Sequence, residues 1–307
     1  MKIVHIDDVP LVAVPTTRAG TLDRRTLLTG DPGSPGDFVC GVYYQSGDFF
    51  APRHHHNFDQ WRFQLEGETN LNATGVLRPG TLGYFPEGAH YGPNGREGET
   101  TDVRNVIVLV QFGGPAGNGF VSSAKFAAAR EELKTLGTFD GGVFHRNEGV
   151  AGKKTLDSFQ ATWEHAQGRP MIYPAPQYNA AILMNTHAYR WMPLAGAPGV
   201  EAKLYGTFSD CAIRAAGYKL DPGATFAAAG RGIFVVLSGS GRLADGPYRA
   251  FSALYLESGE SASYTANETT EILLMGLPDV SRMKPPLIPS GARRRVVEGQ
   301  PQYDRPA

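Results

Sequence analysis

Arg53-His54-His55-His56-Asn57-Phe58-Asp59-Gln60-Trp61-Arg62-Phe63-Gln64-Leu65-Glu66-Gly67 is the stretch that decides the fold. On a β-strand, residues i and i+2 share a face, so His54 and His56 project together and His55 projects away. Two imidazoles on one face can hold a metal ion if further ligands arrive from another strand. Gly80-Thr81-Leu82-Gly83-Tyr84-Phe85-Pro86-Glu87-Gly88-Ala89-His90-Tyr91 is a second stretch able to deliver them.

Together the two stretches resemble the paired motifs of the cupin family. In the first motif Gly47 leads, His54 and His56 form the His-x-His pair, Gln60 stands where the family carries Glu, and Gly67 closes. In the second, Gly80, Pro86 and Gly88 fit, Tyr91 occupies the His position, and His90 comes one place earlier. The resemblance implies a jelly-roll barrel with one divalent metal ion (Fe, Mn, Ni or Zn) bound by His54, His56, Gln60 and a fourth group. His90 takes that place if the turn after Gly88 is one residue shorter; Tyr91 takes it if the register is kept. A one-residue slip inverts every side chain, so only one of them points inward on a regular strand. Gln60 is a weaker ligand than a carboxylate and leaves the ion its full charge, which favours an anionic substrate.

The same alternation places Gln60, Arg62 and Gln64 on one face, and Trp61, Phe63 and Leu65 on the other. An arginine inside a barrel is costly unless paired. Either a carboxylate such as Glu66 or Glu68 meets Arg62, or Arg62 receives an anionic substrate. Arg62 and Gln64 are then the candidates for orienting a carboxylate or ketone. Tyr91 would coordinate the metal or hydrogen-bond the substrate, and Tyr84 or Phe85 would supply an aromatic wall. Pro86-Glu87-Gly88 reads first as a turn, with Glu87 as a general base the alternative. His5, His145, His165 and His187 show no ligand spacing.

A chain of 307 residues suggests two domains. Its 38 Gly and 22 Pro suit short strands joined by many turns. Strand-like segments recur at Phe38 to Gln45, Gln60 to Leu65, Thr81 to Phe85 and Val103 to Phe112, as in a sandwich or barrel. The pattern changes after Gly113-Gly114-Pro115: residues 123–136 and 156–167 read as helices, with Ser122 or Ser123 as a cap. From Tyr178 the strand pattern resumes, and a weak repeat appears. Phe38, Gly47 and Pro52 match Phe208, Gly217 and Pro222; Gly67 matches Gly239; Tyr84 to Gly88 match Tyr255 to Gly259. In that alignment Ala224, Phe226 and Gly232 replace His54, His56 and Gln60, with Ala262 or Ser261 at the last slot.

These readings give an all-β chain of two jelly-roll (cupin) β-barrels joined by a helical connector. Residues 1–120 form the first barrel with the metal site, 121–177 the connector, 178–285 a second barrel without metal ligands, closed and apolar, and 286–307 a tail. Arg293-Arg294-Arg295 in that tail are a thin case for a polybasic partner site. The net charge of −1 gives no reason to expect nucleic acid or a membrane surface as partner. Cys40 and Cys211 read as buried free thiols, which fit a reducing compartment. The N-terminus lacks the apolar core of a signal peptide, and no run approaches the roughly 20 residues of a membrane span. A cytoplasmic protein acting on a small molecule is expected, with a homo-oligomer left open. The leading function is a metal-dependent oxygenase of a small aromatic, flavonoid-like or diketone substrate. The rivals are a lyase or isomerase, with or without metal, and a non-catalytic binding or structural protein.

Overall fold

The computed structural model describes residues 2–14, 20–95, 98, 103–140, 142–285, 294–297 and 300–303, the last two segments by backbone alone. Seven strands of the first half form an antiparallel sheet in the spatial order Ile182–Asn185, Thr81–Phe85, Asp59–Glu66, Asn105–Phe112, Phe38–Gln45, Leu22–Thr29 and Leu11–Ala13. Seven more form its counterpart, in the order Lys2–His5, Ser252–Leu256, Gly232–Ser238, Thr270–Gly276, Arg214–Leu220, Val200–Thr207 and Met192–Pro193. The two orders match strand for strand, as expected of two jelly-roll halves. Each half also lends its leading strand to the other: Lys2 faces Tyr255 across the second sheet, and Ile182 faces Tyr84 across the first.

The strands alternate between two apolar environments. Trp61, Phe63 and Tyr84 of the first sheet share one core with Phe208, Ile213, Leu273 and Met275 of the second half. The Trp61 indole donates to the Gly276 carbonyl at 2.8 Å across that core. Odd positions of the Asp59–Glu66 strand are thus used up in joining the halves, and even positions face the interior of the first half. The second half's interior is filled. Tyr218, Phe226, Phe234, Tyr248 and Tyr264 pack between its large sheet and a four-stranded one of Thr225–Ala229, Ser261–Ala266, Gly241–Leu243 and Gly246–Tyr248. The first half's opposing layer is thinner: the pair Thr69–Asn70 and Val76–Leu77, with single bridges at Ala51–Asn94 and His54–Tyr91. Among the described residues neither half closes into a continuous hydrogen-bonded barrel, which corrects the expected closed second barrel.

Strand register also corrects part of the internal repeat. Trp61 pairs with Tyr84 and Val110, and Ile233 pairs with Tyr255 and Met275, so Gln60 aligns with Gly232 as the sequence suggests. One strand away, Cys40 pairs with Val110 and Ala215 pairs with Met275, so Cys40 aligns with Ala215. The matches of Phe38 to Phe208, Gly47 to Gly217 and Pro52 to Pro222 are therefore misplaced by four to five residues. His54 bridges Tyr91, and Ala228 pairs with Ala262, so the histidine slots fall at Ala228 and Gly230 rather than at Ala224 and Phe226. Neither carries a side-chain donor.

The connector holds helices α1 (Ser123–Leu133) and α2 (Ser158–Gln167). The Ser122 hydroxyl accepts from Lys125 N and the Asp157 carboxylate from Gln160 N, capping the two N-termini. Gly168 ends α2 in the left-handed conformation, φ 62°. Both helices are shorter than expected because a three-stranded sheet of Gly137–Asp140, Val143–Arg146 and Thr155–Asp157 lies between them. Leu156 pairs with Phe144 there instead of starting α2. Arg294–Val297 pairs with Gln300–Tyr303, while Arg293 lies outside the described residues. Cys40 and Cys211 are buried free thiols. Among the described residues no helix is long and apolar enough to cross a membrane.

Candidate active site

Because even positions of Asp59–Glu66 face inward, Gln60 and Arg62 enter a cavity of about 790 Å³ in the first half. The neighbouring strands contribute Ile107, Leu109 and Gln111, then Tyr43 and Gln45, then Arg24. His54 and His56 come from the thin opposing layer, and Phe126 of α1 and Phe159 of α2 close the roof.

Arg62 is 8% exposed, and among the described residues it has no carboxylate partner. Its Nε and Nη2 donate to Gln60 Oε1 at 3.0 and 2.8 Å, and Nη2 also donates to the Tyr91 hydroxyl at 2.9 Å. The guanidinium lies over the rings of Phe85 and Tyr91, at 4.4 and 4.9 Å. Glu66 and Glu68, the sequence candidates for pairing it, are directed elsewhere: Glu66 lies at the edge of ion-pair range from Arg104, and Glu68 pairs with Arg78.

The rings of His54 and His56 meet edge to face at 5.0 Å. His54 Nδ1 donates to the Pro52 carbonyl at 2.6 Å, which puts the neutral ring's lone pair on Nε2. His56 stacks on Phe58 at 4.5 Å and meets Phe159 edge-on at 5.6 Å. His55 turns away, stacked between Tyr173 at 3.7 Å and His90 at 4.0 Å. Burial lowers its pKa, against the Gly88 carbonyl that accepts its Nδ1–H.

The structure thus brings His54, His56, Gln60, Arg62 and Tyr91 together and leaves out two expected members. His90 is exposed and lies with His55, because the register is kept and Tyr91, 2% exposed, points inward. Gln64 is fully buried in local bonds: it donates to the Glu66 carbonyl and accepts from Thr69. Phe85 does stack on Arg62, but the wall of the cavity is built from Phe58, Phe120, Phe126 and Phe159. Arg24, Tyr43, Gln45 and Gln111 escaped the sequence reading. The signal was available, since each is polar at an inward position of its strand, as Gln60 and Arg62 are.

The donor set does not fit the expected metal ion. The Gln60 oxygen and the Tyr91 hydroxyl, two of the four ligand positions, both serve the Arg62 guanidinium. A divalent cation there would meet a fixed positive charge in a low-dielectric site. Among the described residues no group of three or more His, Cys, Asp and Glu is arranged to hold an ion.

On the opposite face of the same strand, Asp59 and Glu87 form a buried carboxyl pair. Asp59 accepts from the Tyr84 hydroxyl at 2.5 Å and from Glu87 N at 2.7 Å, and Glu87 Oε1 accepts from Ala116 N at 2.6 Å. Burial pushes Asp59 up to about 7, and burial with the Asp59 charge beside it pushes Glu87 up to about 8. Gly114 makes room for the pair: a Cβ there would lie 2.6 Å from Glu87 Oε2 and 2.7 Å from Asp59 Oδ1. Glu87 sits in a turn, as expected, and does not line the cavity, so it is not placed as a base for that site.

No family model matches this sequence, and no curated protein matches it. Solved structures do resemble it in fold. A provisionally assigned dioxygenase from Nostoc punctiforme aligns over 91% of this chain and 83% of its own, with 11% identity and a TM-score of 0.59. A provisionally assigned glyoxylate-induced protein from Pseudomonas aeruginosa aligns over 87% and 85%, with 14% identity and a TM-score of 0.52. Oxalate decarboxylase from Bacillus subtilis aligns over 91% and 76%, with 14% identity and a TM-score of 0.50. At these identities the likeness is one of fold alone, that of two jelly-roll halves packed on a shared core.

Proposed function

We propose that the first-half cavity binds a small, enolisable organic acid through Arg62 and turns it over by proton transfer, as a lyase or isomerase. The observation that carries this reading is Arg62 itself: a buried cation in a cavity, held by Gln60 and Tyr91, with no carboxylate partner among the described residues. Such a charge is costly unless an anion completes it. An imidazole of His54 or His56 takes the proton from carbon and the freed electron pair becomes an enolate facing the guanidinium; in an isomerase the proton returns at a second carbon, and in a lyase the enolate pair expels a β-leaving group, which takes the proton. Imidazole carries a proton acceptor and a proton donor on one ring, which suits that task.

A second reading is a metal-dependent oxygenase of a small aromatic, flavonoid-like or diketone substrate. The pair of imidazoles facing one cavity favours it. It requires the Arg62 guanidinium to leave Gln60 and Tyr91 so that both can become ligands.

One set of measurements separates the readings. Isothermal titration with short carboxylic and keto acids should show binding that Arg62→Gln weakens about ten- to a hundredfold, the worth of a charged hydrogen bond. Equal binding by the variant would overturn the proposal. Stoichiometric metal after reconstitution, with turnover that stops under argon, would establish the oxygenase instead. Binding with no turnover under either gas would leave the cavity a binding site.

A further inference from the structure

We infer that the cavity is built for an elongated dianion, with Arg24 holding the end that Arg62 does not; this rests on the reading of Arg62 as an anion anchor. Arg24 lies on Leu22–Thr29, opposite Tyr43, and lines the same cavity. Its Nη1 donates to the Ser123 hydroxyl at 3.1 Å and to the Tyr43 hydroxyl at 3.4 Å. Its Nε is buried with no partner among the described residues, which also offer it no carboxylate. The side chain crosses Gly41, whose Cβ would sit 3.4 Å from Arg24 Cγ. Gly41 pairs with Leu109 and Leu109 with Arg62, so Arg24 leans along the row that contains Arg62.

Three strand spacings separate the two backbones, about 14 Å on a flat sheet. Arg62 leans the other way, over Phe85 of the strand on its far side and onto Gln60 and Tyr91, so the two guanidiniums stay apart. The floor between is apolar, made by Ile107 and Leu109. Beside Arg62 in the lining, the buried Gln60 Nε2 also lacks a partner among the described residues. Each end therefore offers a cation and an unused N–H donor, Gln60 Nε2 at one and Arg24 Nε at the other, and the middle offers carbon. The remaining charges at the mouth, Arg130, Lys134 and Glu131, add to the positive sign, since Glu131 is paired with Lys134 at 2.6 Å. A carboxylate at each end of a short apolar body fits this pattern.

The test compares linear diacids of four to eight carbons with their monomethyl esters, which keep the length and lose one charge. On the wild-type protein, titration calorimetry should show at least one diacid binding about tenfold or more tightly than its half-ester. Arg24→Gln should bring that ratio towards one, whereas Arg62→Gln should weaken acid and half-ester alike. Half-esters binding as well as diacids would overturn the dianion while leaving Arg62 in its role. A ratio unchanged in Arg24→Gln would overturn the assignment of the second anchor. Loss of neither ligand in Arg62→Gln, or no binding by any member of the series, would overturn both. The wild-type comparison stands even if Arg24→Gln fails to fold.

Discussion

Asp59 and Glu87 make a statement about pH. Both carboxyls titrate in the folded chain above their ordinary range of about 4, through burial first and, for Glu87, through the Asp59 charge second. The folded state therefore keeps protons that the unfolded chain releases. The stability this contributes is complete below about pH 4 and is lost as pH rises through 7 to 8. Glu87→Gln removes one of the two titrations. The amide nitrogen would stand near Asp59 where Glu87 Oε2 stands now, a donor replacing a like charge. The variant should melt close to wild type at pH 5 and be more stable at pH 8.5, by on the order of 2 kcal/mol. Melting curves across pH decide it: a difference between variant and wild type that does not grow with pH removes the buried pair as its source.

At the level of elements, α1 and α2 form the roof of the cavity. Phe159 of α2 touches Phe58, Phe126 and His56, so it joins the connector to the candidate catalytic ring. Phe159→Ala should cost about 2 kcal/mol of stability, less than a fully buried phenylalanine, because the residue is only partly buried. It should also weaken acids with bulky apolar bodies more than acetate-sized ones, as read by the dependence of affinity on chain length. Equal weakening of all lengths would place Phe159 outside the binding wall. The contrast between elements also shows what a sequence can reveal. The strand Asp59–Glu66 is legible because His54, His56, Gly67 and the apolar-polar alternation all agree on one register. The fourth site position is not, because His90 and Tyr91 differ by one residue and only the bridge of His54 to Tyr91 decides between them. The connector strands Gly137–Asp140 and Thr155–Asp157 are too short to show alternation. Arg24 is visible as an inward polar residue, but its sharing of a cavity with Arg62 depends on a register three strands wide. The guanidinium's hold on Gln60 and Tyr91 is a matter of side-chain geometry that no spacing records.

The molecule as a whole is joined by strand exchange and by one core shared between the two large sheets. A half cut from this chain would lose its partner's edge strand and expose Trp61, Tyr84, Phe208 and Met275 to water. Of the two exchanged strands, four residues each, Lys2–His5 is the one to remove. Its Ile3 packs against the second half's interior, its Val4 against the shared core, and His5 Nδ1 meets the Ser252 hydroxyl at 2.6 Å. Deleting residues 1–5 should cost about 3 kcal/mol, from two partly buried aliphatic side chains and the edge hydrogen bonds. For a chain of this size that is a fall in Tm of roughly 5 °C. Because the core is shared, the loss should reach both halves. Calorimetry should show one transition before and after the deletion, with hydrogen exchange rising in Asp59–Glu66 as well as in Ser252–Leu256. Two separate transitions, with Asp59–Glu66 protected as before, would mean that the halves fold independently and that the exchanged strand serves only the sheet it joins.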